Sequence, residues 1–434
     1  MARLFGTDGV RGLANGEVLT PELVLGVARS AARVLGGRTV AIGRDTRPSG
    51  PMLQAAAAAG FTAAGLDVLL LGVVPTPAVA HVVASGAADL GLVLSASHNP
   101  MPDNGLKLFA AGGSKLSDAQ EDAVEAGLAD PTGLTGAGLG RVDDAGPELV
   151  EAWLASLLAS AGSLAGLTVV VDAADGAASH LAPELYRRAG ARVFELHCDG
   201  DGTRINDGSG STHPQGLAAA VLHRGADVGI AHDGDADRCI IVDAAGRVLS
   251  GDQVLGLLAL ARREAGLPGS DVLVATVMSN LGLHHAMSAA GVRVLQTAVG
   301  DRYVLDAMIA GDHRLGGEQS GHVVLRDHAT TGDGLLTALQ VMDRVARSGR
   351  PLAELAAAVT LLPQVLVNVR AQRARASAPE VLAAVAAEEG LLAGRGRVLL
   401  RSSGTEPLVR VMVEAPSEAL AQQVADRLAE IVAR

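Results

Sequence analysis

Two clusters of side chains in this sequence could do chemistry together. The run Leu94-Ser95-Ala96-Ser97-His98-Asn99-Pro100 closes an apolar stretch, and 136 residues after Ser97 three aspartates occupy alternate positions, Asp233, Asp235 and Asp237. A hydroxyl can carry a phosphate, and a carboxylate cage can hold the cation that neutralises it, so phosphoryl transfer through Ser97 is the first expectation. Alternate spacing lets the carboxylates of one loop face one ion, and oxygen-only ligands favour Mg²⁺ or Ca²⁺ over zinc. An EF-hand is excluded, because Arg238 stands where its turn glycine belongs and Ala244 where its bidentate Glu belongs. Arg238, directly after the third Asp, adds a cation suited to a shared anionic ligand. The competing readings are a solvated acidic turn for the aspartates and a helix N-cap for Ser97. Asn99-Pro100 favours a turn, which leaves the Ser97 hydroxyl exposed at a strand end. The chain has no G-x-S-x-G elbow, against a serine hydrolase, and no Walker A run, against ATP as the obvious phosphoryl source.

Ten residues after Ser97, Lys107 is expected in a loop beside the phosphate. Of 35 Lys and Arg residues only Lys107 and Lys115 are lysines. A lysine kept in such a chain points to a group that must lose its proton, which Arg cannot do, and burial or neighbouring cations would have to depress its pKa. An ordinary surface lysine is the alternative, and His98 is the competing proton carrier. Further on, Arg401-Ser402-Ser403-Gly404-Thr405-Glu406-Pro407, with Arg410 nearby, can wrap a phosphate with hydroxyls and backbone N–H groups. Gly316-Gly317-Glu318-Gln319-Ser320-Gly321-His322 offers a carboxylate and a hydroxyl two residues apart, suited to adjacent sugar hydroxyls. Polar turns are the plainer alternative for both.

The elements that must position these groups alternate short β-branched runs with Ala/Leu-rich helical stretches, the βαβ pattern of a mostly parallel sheet. Thr20 with Pro21 is expected to open a helix. Strands are expected near residues 39–42, 67–71, 89–95, 167–172, 191–196, 226–232, 272–277 and 292–297, with a turn at Gly316-Gly317. Residues 129–146 break the pattern, and after Pro363 a small α+β domain closes with a helix over 417–433. At 434 residues the chain exceeds one core, and about 150 residues per domain gives roughly three. Aromatics at 2% leave Ala, Val and Leu to fill the cores and weaken any base-stacking role. A net charge of −12 opposes polyphosphate backbones, so nucleic acid is not an expected partner. The two cysteines, Cys198 and Cys239, lack metal-type spacing and fit a reducing compartment. The opening residues lack a signal-peptide core, and Asp67, Pro75, Pro77 and His81 interrupt the most apolar stretch, so no membrane partner and a cytoplasmic location are expected.

These loops, in this order and over the whole chain, are similar to those of the α-D-phosphohexomutase superfamily. The opening Phe5-Gly6-Thr7-Asp8-Gly9-Val10-Arg11-Gly12 and the Gly-Glu-Gln-Ser-Gly-His loop resemble its bacterial amino-sugar branch. The resemblance implies three related α/β domains with mixed, mostly parallel sheets and a smaller α+β C-terminal domain around a central cleft. Their expected bounds are 1–147 with the phosphoserine loop, 148–248 with the metal loop, 249–361 with the sugar loop, and 362–434 with a phosphate site. It implies that Ser97 is the phosphoserine and that Asp233, Asp235 and Asp237 hold Mg²⁺ with a phosphate oxygen of that serine, assisted by Arg238. Lys107 matches the general acid/base, Glu318 and Ser320 the sugar-hydroxyl contacts, and Arg11 and His322 accessory positions. Arg401, Ser403, Gly404 and Thr405, with Arg410, match the distal phosphate site. The implied reaction interconverts glucosamine 6-phosphate and glucosamine 1-phosphate through a sugar 1,6-bisphosphate, which also activates the enzyme, and supplies precursors for cell-wall synthesis. A phosphosugar is the implied partner, and a homodimer the assembly held open. Rival readings are a mutase of glucose or mannose phosphates, a metal-dependent phosphatase, and a non-catalytic sugar-phosphate binder. Met101-Pro102 departs from relatives that often carry an aromatic there.

Overall fold

A computed structural model describes residues 3–6, 8–402 and 407–434. Thr20 accepts the Leu23 N–H and Pro21 takes the first turn, so the helix Pro21–Leu35 starts where its cap chemistry places it. Its apolar face and that of Gly50–Ala63 meet the core around Val40, Ile42, Leu92 and Leu106. Strands such as Leu90–Leu94 and Val228–Ala231 are buried at every position, as uninterrupted apolar runs in a covered sheet should be.

The chain forms two compact units, residues 1–278 with 292–358, and residues 279–291 with 359–434. The first contains three sheets, and each includes the same four-strand arrangement. In the first sheet Thr39–Arg44 pairs in parallel with Asp67–Val73 on one side and Leu90–Leu94 on the other, and Asp103–Ala110 lies antiparallel beside Leu90–Leu94. Thr168–Asp172, Arg192–Leu196, Val228–Ala231 and Ile240–Asp243 repeat this order in the second sheet. Val272–Thr276, Arg293–Thr297, Leu315–Gly317 and Val323–Leu325 repeat it in the third. The first sheet adds Val10–Leu13, Ser114–Lys115 and Val142–Asp144. Val142–Asp144 falls inside the stretch expected to break the pattern; three exposed residues gave no periodicity to read.

Gly316 and Gly317 are not a turn but the third parallel strand. A Cβ at Gly316 would meet Met308 Sδ at 2.6 Å and Val274 O at 3.0 Å, so close packing demands the glycine. The second unit carries an antiparallel sheet in the order Gln364–Arg370, Leu408–Glu414, Arg397–Ser402, covered by the helices Pro379–Leu392 and Glu418–Ala433 over a core of Val409, Val411, Val424 and Leu428. The helix Leu281–Ala289 joins this unit through its first N–H, which Glu414 accepts at 2.8 Å, and through Asn280, which caps it and bonds Leu362.

Candidate active site

The recurring arrangement places its third strand's end in the same location three times, and each end bears one of the loops singled out above: residues 95–102, 232–239 and 318–322. Carboxyl ends of parallel strands are where ligands collect in open α/β sheets.

Ser97 is buried, not exposed, at 1% accessibility, and adopts a left-handed φ of 53°. That conformation is held from both sides: its N–H donates to Ser95 Oγ at 2.9 Å, and its carbonyl accepts Arg47 Nη2 at 3.1 Å and Asn206 Nδ2 at 2.8 Å. Arg47 is itself paired with buried Asp45 at 2.8 Å, to which Ser95 donates at 2.6 Å. The Ser97 hydroxyl donates to Asp233 Oδ2 at 2.6 Å and lies 3.3 Å from His98 Nδ1. Gly234 permits this meeting, since a Cβ there would fall 2.6 Å from the Ser97 carbonyl oxygen.

The aspartate loop is fixed by its own carbonyls. That of Asp233 accepts Ala236 N–H, that of Gly234 accepts Ala177, that of Asp235 accepts Thr76 and that of Ala236 accepts Gly334, all at 2.8–3.0 Å. The Arg238 carbonyl accepts His232 Nδ1–H at 3.0 Å, which leaves Nε2 to accept the buried Tyr186 hydroxyl at 2.9 Å. Burial pushes His232 down to about 4, so it is neutral in this role. One ligand atom from each of Asp233, Asp235 and Asp237 lies within 4.8 Å of the others, and Asp235 Oδ1 and Asp237 Oδ1 are buried with no hydrogen-bond partner among the described residues. Hard oxygen donors left unsatisfied in a dry, preformed loop fit a hard divalent cation.

Lys107 lies in the strand Asp103–Ala110 rather than a loop, 2.8 Å from Asp235, 3.1 Å from Asp237 and 3.1 Å from Asp8. Burial alone would depress its pKa, but these three carboxylates outweigh it and raise the group well above the usual lysine range. The expected depression is thus reversed, and Lys107 is an ammonium donor. His98 moves the other way: burial, then Arg238 and Arg11, push it down to about 4. Burial works against the charge of Asp237, yet Lys107, His322 and Arg238 hold its carboxyl well below the usual range. Asp233 is raised to about 7 by burial and the other two aspartates, against the opposing effects of Arg238 and the Ser97 hydroxyl.

The third loop joins the second by an antiparallel bridge between Arg238 and His322 and by the Cys239 N–H on the Gly321 carbonyl at 3.0 Å. Glu318 Oε1 accepts the Gly300 N–H at 3.0 Å, and Ser320 Oγ is buried with no partner among the described residues. Arg11 reaches Asn99 Oδ1 at 3.3 Å and makes a close ion pair with Asp8. A cavity of about 440 Å³ opens among Arg11, His98, Asp237, Arg238, Glu318 and His322, a volume suited to a sugar phosphate. The structure therefore brings Arg11, Ser97, His98, Lys107, the three aspartates, Arg238, Glu318 and His322 together, and Ser320 shares the loop of Glu318 and His322 without lining the cavity. Arg401 and Arg410 face each other across paired strands of the second unit; Ser403, Gly404 and Thr405 lie outside the described residues. Sequence reasoning missed Asp8, Asp45, Arg47, Thr76, Tyr186, Asn206 and His232, which act through partners far along the chain. Asp8 alone had a signal, standing in the same opening run as Arg11.

Family descriptions for phosphoglucomutase/phosphomannomutase match the chain in four pieces: α/β/α domain I at residues 2–132, domain II at 149–246, domain III at 250–361 and the C-terminal domain at 366–431. A phosphoglucosamine mutase of Saccharopolyspora erythraea is 61% identical over 445 residues, covering 100% of this chain and 99% of that protein. One of Frankia alni is 59% identical over 449 residues, covering 100% and 98%. The crystal structure of a phosphoglucomutase/phosphomannomutase family protein from Burkholderia thailandensis superposes with a TM-score of 0.84 at 25% identity, covering 99% of this chain and 97% of that one.

Proposed function

Because the chain belongs to the phosphoglucosamine mutase family within the phosphoglucomutase/phosphomannomutase group, it is an isomerase of amino-sugar phosphates, and we propose that it interconverts glucosamine 6-phosphate and glucosamine 1-phosphate through a phosphate on Ser97. The observation that carries this reading is the 2.6 Å contact between Ser97 Oγ and Asp233 inside a buried carboxylate triad. A serine placed there has its phosphate beside the site of a divalent cation.

In this reading Asp233, Asp235, Asp237 and a phosphate oxygen on Ser97 would hold Mg²⁺, which when bound neutralises charge on the transferring phosphoryl group. As the sugar O1 hydroxyl attacks phosphorus, the P–Oγ bond to Ser97 breaks and a 1,6-bisphosphate forms. His98, kept neutral, suits the role of base for the hydroxyl proton. Lys107, kept protonated, suits that of hydrogen-bond and proton donor toward the departing serine oxygen. In the second half the bisphosphate, turned end for end, returns its O6 phosphate to Ser97 with the proton flow reversed. Arg11 and Arg238 border the cavity as cations for the phosphates, His322 braces Asp237, and Glu318 borders it as a partner for the sugar hydroxyls; Ser320, two residues on, is assigned to the same role by the chemistry of its loop alone. Arg401, Ser403, Gly404 and Thr405, with Arg410, would take the non-reacting phosphate. The four-domain division, a homodimer, activation by the bisphosphate and a cytoplasmic location belong to the same reading. No helix among the described residues is long and apolar enough to cross a membrane.

The test is intact mass before and after exposure to glucose 1,6-bisphosphate, with peptide mapping and product analysis. One phosphate on Ser97 and isomerised glucosamine phosphate are expected. Phosphate on Ser95, an unimpaired Ser97→Ala variant, or steady release of inorganic phosphate in place of isomerisation would each defeat the reading.

A further inference from the structure

The mechanism uses one of the two lysines and leaves Lys115 idle. Lys107 is buried and Lys115 half-buried, at 2% and 12% side-chain exposure, and both hold Asp8, at 3.1 Å and 2.6 Å. The pairing of the strands explains why. Lys115 stands opposite Phe109, so Lys107, two residues along, is its diagonal neighbour on the same face. Two ammonium groups so placed repel each other unless a carboxylate lies between them, and Asp8 does. Lys115 also makes a close ion pair with Asp301, the first residue of the helix Asp301–Ala310. His322 then lies 3.7 Å from Asp301 and 3.8 Å from Asp237, and Asp237 is 3.1 Å from Lys107. Lys107, Asp8, Lys115, Asp301, His322 and Asp237 thus form a closed circuit of alternating basic and acidic groups around the cavity. Beside Asp301, the Gly300 N–H fixes the Glu318 carboxylate.

We propose that Lys115 is a positioning residue for phosphoryl transfer: by holding Asp8 and Asp301 together it sets Lys107 and Arg11 at the phosphoryl end of the cavity and, through Gly300, Glu318 at the sugar end. The proposal rests on the roles given above to Lys107, Arg11 and Glu318. It explains why lysine is kept here in a chain that otherwise uses arginine. A compact ammonium directs its three N–H groups to carboxylates arriving from two segments, whereas the planar guanidinium fork suits one carboxylate approached in its plane. The network holds Lys115 charged, its pKa raised by Asp301 and Asp8 against the effect of burial, so it acts by placement and not by exchanging a proton.

The experiment uses the full chain with Mg²⁺, primed with glucose 1,6-bisphosphate, and compares Lys115→Met, Lys115→Arg, Asp301→Asn and the Lys115→Met/Asp301→Asn double variant in glucosamine 6-phosphate isomerisation. Lys115→Met should lower kcat at least 30-fold and raise KM, while Ser97 still takes one phosphate and the Mn²⁺ affinity stays within threefold. Lys115→Arg should remain at least tenfold down. The double variant should be within threefold of the worse single one, because both changes break the same circuit; a role confined to stability would lower the melting temperature and leave kcat and KM in place. A folded Lys115→Met with kcat and KM within twofold of the parent overturns the proposal, as do single losses that multiply in the double variant. Should Lys115→Met fail to fold, the isosteric Asp301→Asn decides alone: unchanged kcat/KM overturns the proposal. Absence of isomerisation by the parent chain would instead defeat the mutase reading.

Discussion

Ser97, the hydroxyl proposed to carry phosphate, is held in place by residues from several distant segments. Its left-handed backbone is secured by Arg47, Asn206 and Ser95, and its ligand partner Asp233 sits in a loop whose neighbour Asp235 accepts the Thr76 hydroxyl at 2.6 Å. Groups that orient metal ligands from behind typically contribute 10–100-fold to affinity. Thr76→Val, which keeps the shape and removes the donor, should therefore weaken Mn²⁺ binding about tenfold with little change in melting temperature; calorimetric titration checks the affinity and a thermal melt the stability. Ser97 and the three aspartates were legible in the sequence because a hydroxyl and alternate carboxylates carry their chemistry in their types. Thr76, Asn206 and Tyr186 were not, since each reaches the site across more than 40 residues of chain. Lys107 was found, but as a loop residue and with its proton affinity in the wrong direction, because the carboxylates that outweigh burial come from two other segments.

At the scale of elements, one four-strand arrangement is used three times, and the turns that follow the third strand diverge in the proposed chemistry, one carrying phosphate, one caging the metal and one contacting the sugar. The order of those loops was readable; their equivalence was not, because it lies in strand pairing, and the third copy's Gly316-Gly317 strand reads as a turn. The metal loop also leans on the helix Gly334–Ser348, whose first N–H holds the Ala236 carbonyl and whose cap, Asp333, accepts Leu336 N–H at 2.9 Å. Burial raises the Asp333 carboxyl to about 7. The folded chain therefore binds this proton more tightly than the unfolded chain does. The resulting stability is complete below the unfolded carboxyl pKa near 4 and is lost as pH rises through about 7. Asp333→Asn keeps a capping oxygen and removes the titration, so its stability relative to the parent should rise between pH 5 and pH 8, as urea midpoints at the two values will show.

For the whole molecule, a cation bound at the preformed triad is expected to couple to folding. An unfolded chain offers no such cage, so Mg²⁺ at 100 times its Kd should add about 2.7 kcal/mol; melting temperature should rise with Mg²⁺ and fall back with chelator, and a variant lacking Asp235 and Asp237 carboxylates should show no response. In the second unit, Arg401 is expected to serve either phosphate of a substrate that reacts at both ends. Arg401→Ala should cost about 1.5–3 kcal/mol in kcat/KM, the scale of a lost charge-assisted hydrogen bond, while Ser97 still accepts phosphate from a small donor; an unchanged kcat/KM would remove the second unit from phosphate recognition. The α+β character of that unit was legible from the change of pattern after Pro363. Its recruitment of the helix Leu281–Ala289 was not, because the tie is a Glu414 carboxylate 133 residues away. The scarcity of lysine has a practical corollary. With both ε-amines enclosed in ion pairs, an amine-acylating reagent can tag either side chain only when the circuit around the cavity opens, so the rate of tagging, read by mass, becomes a clock for the breathing of the catalytic centre and should slow when a sugar bisphosphate is bound.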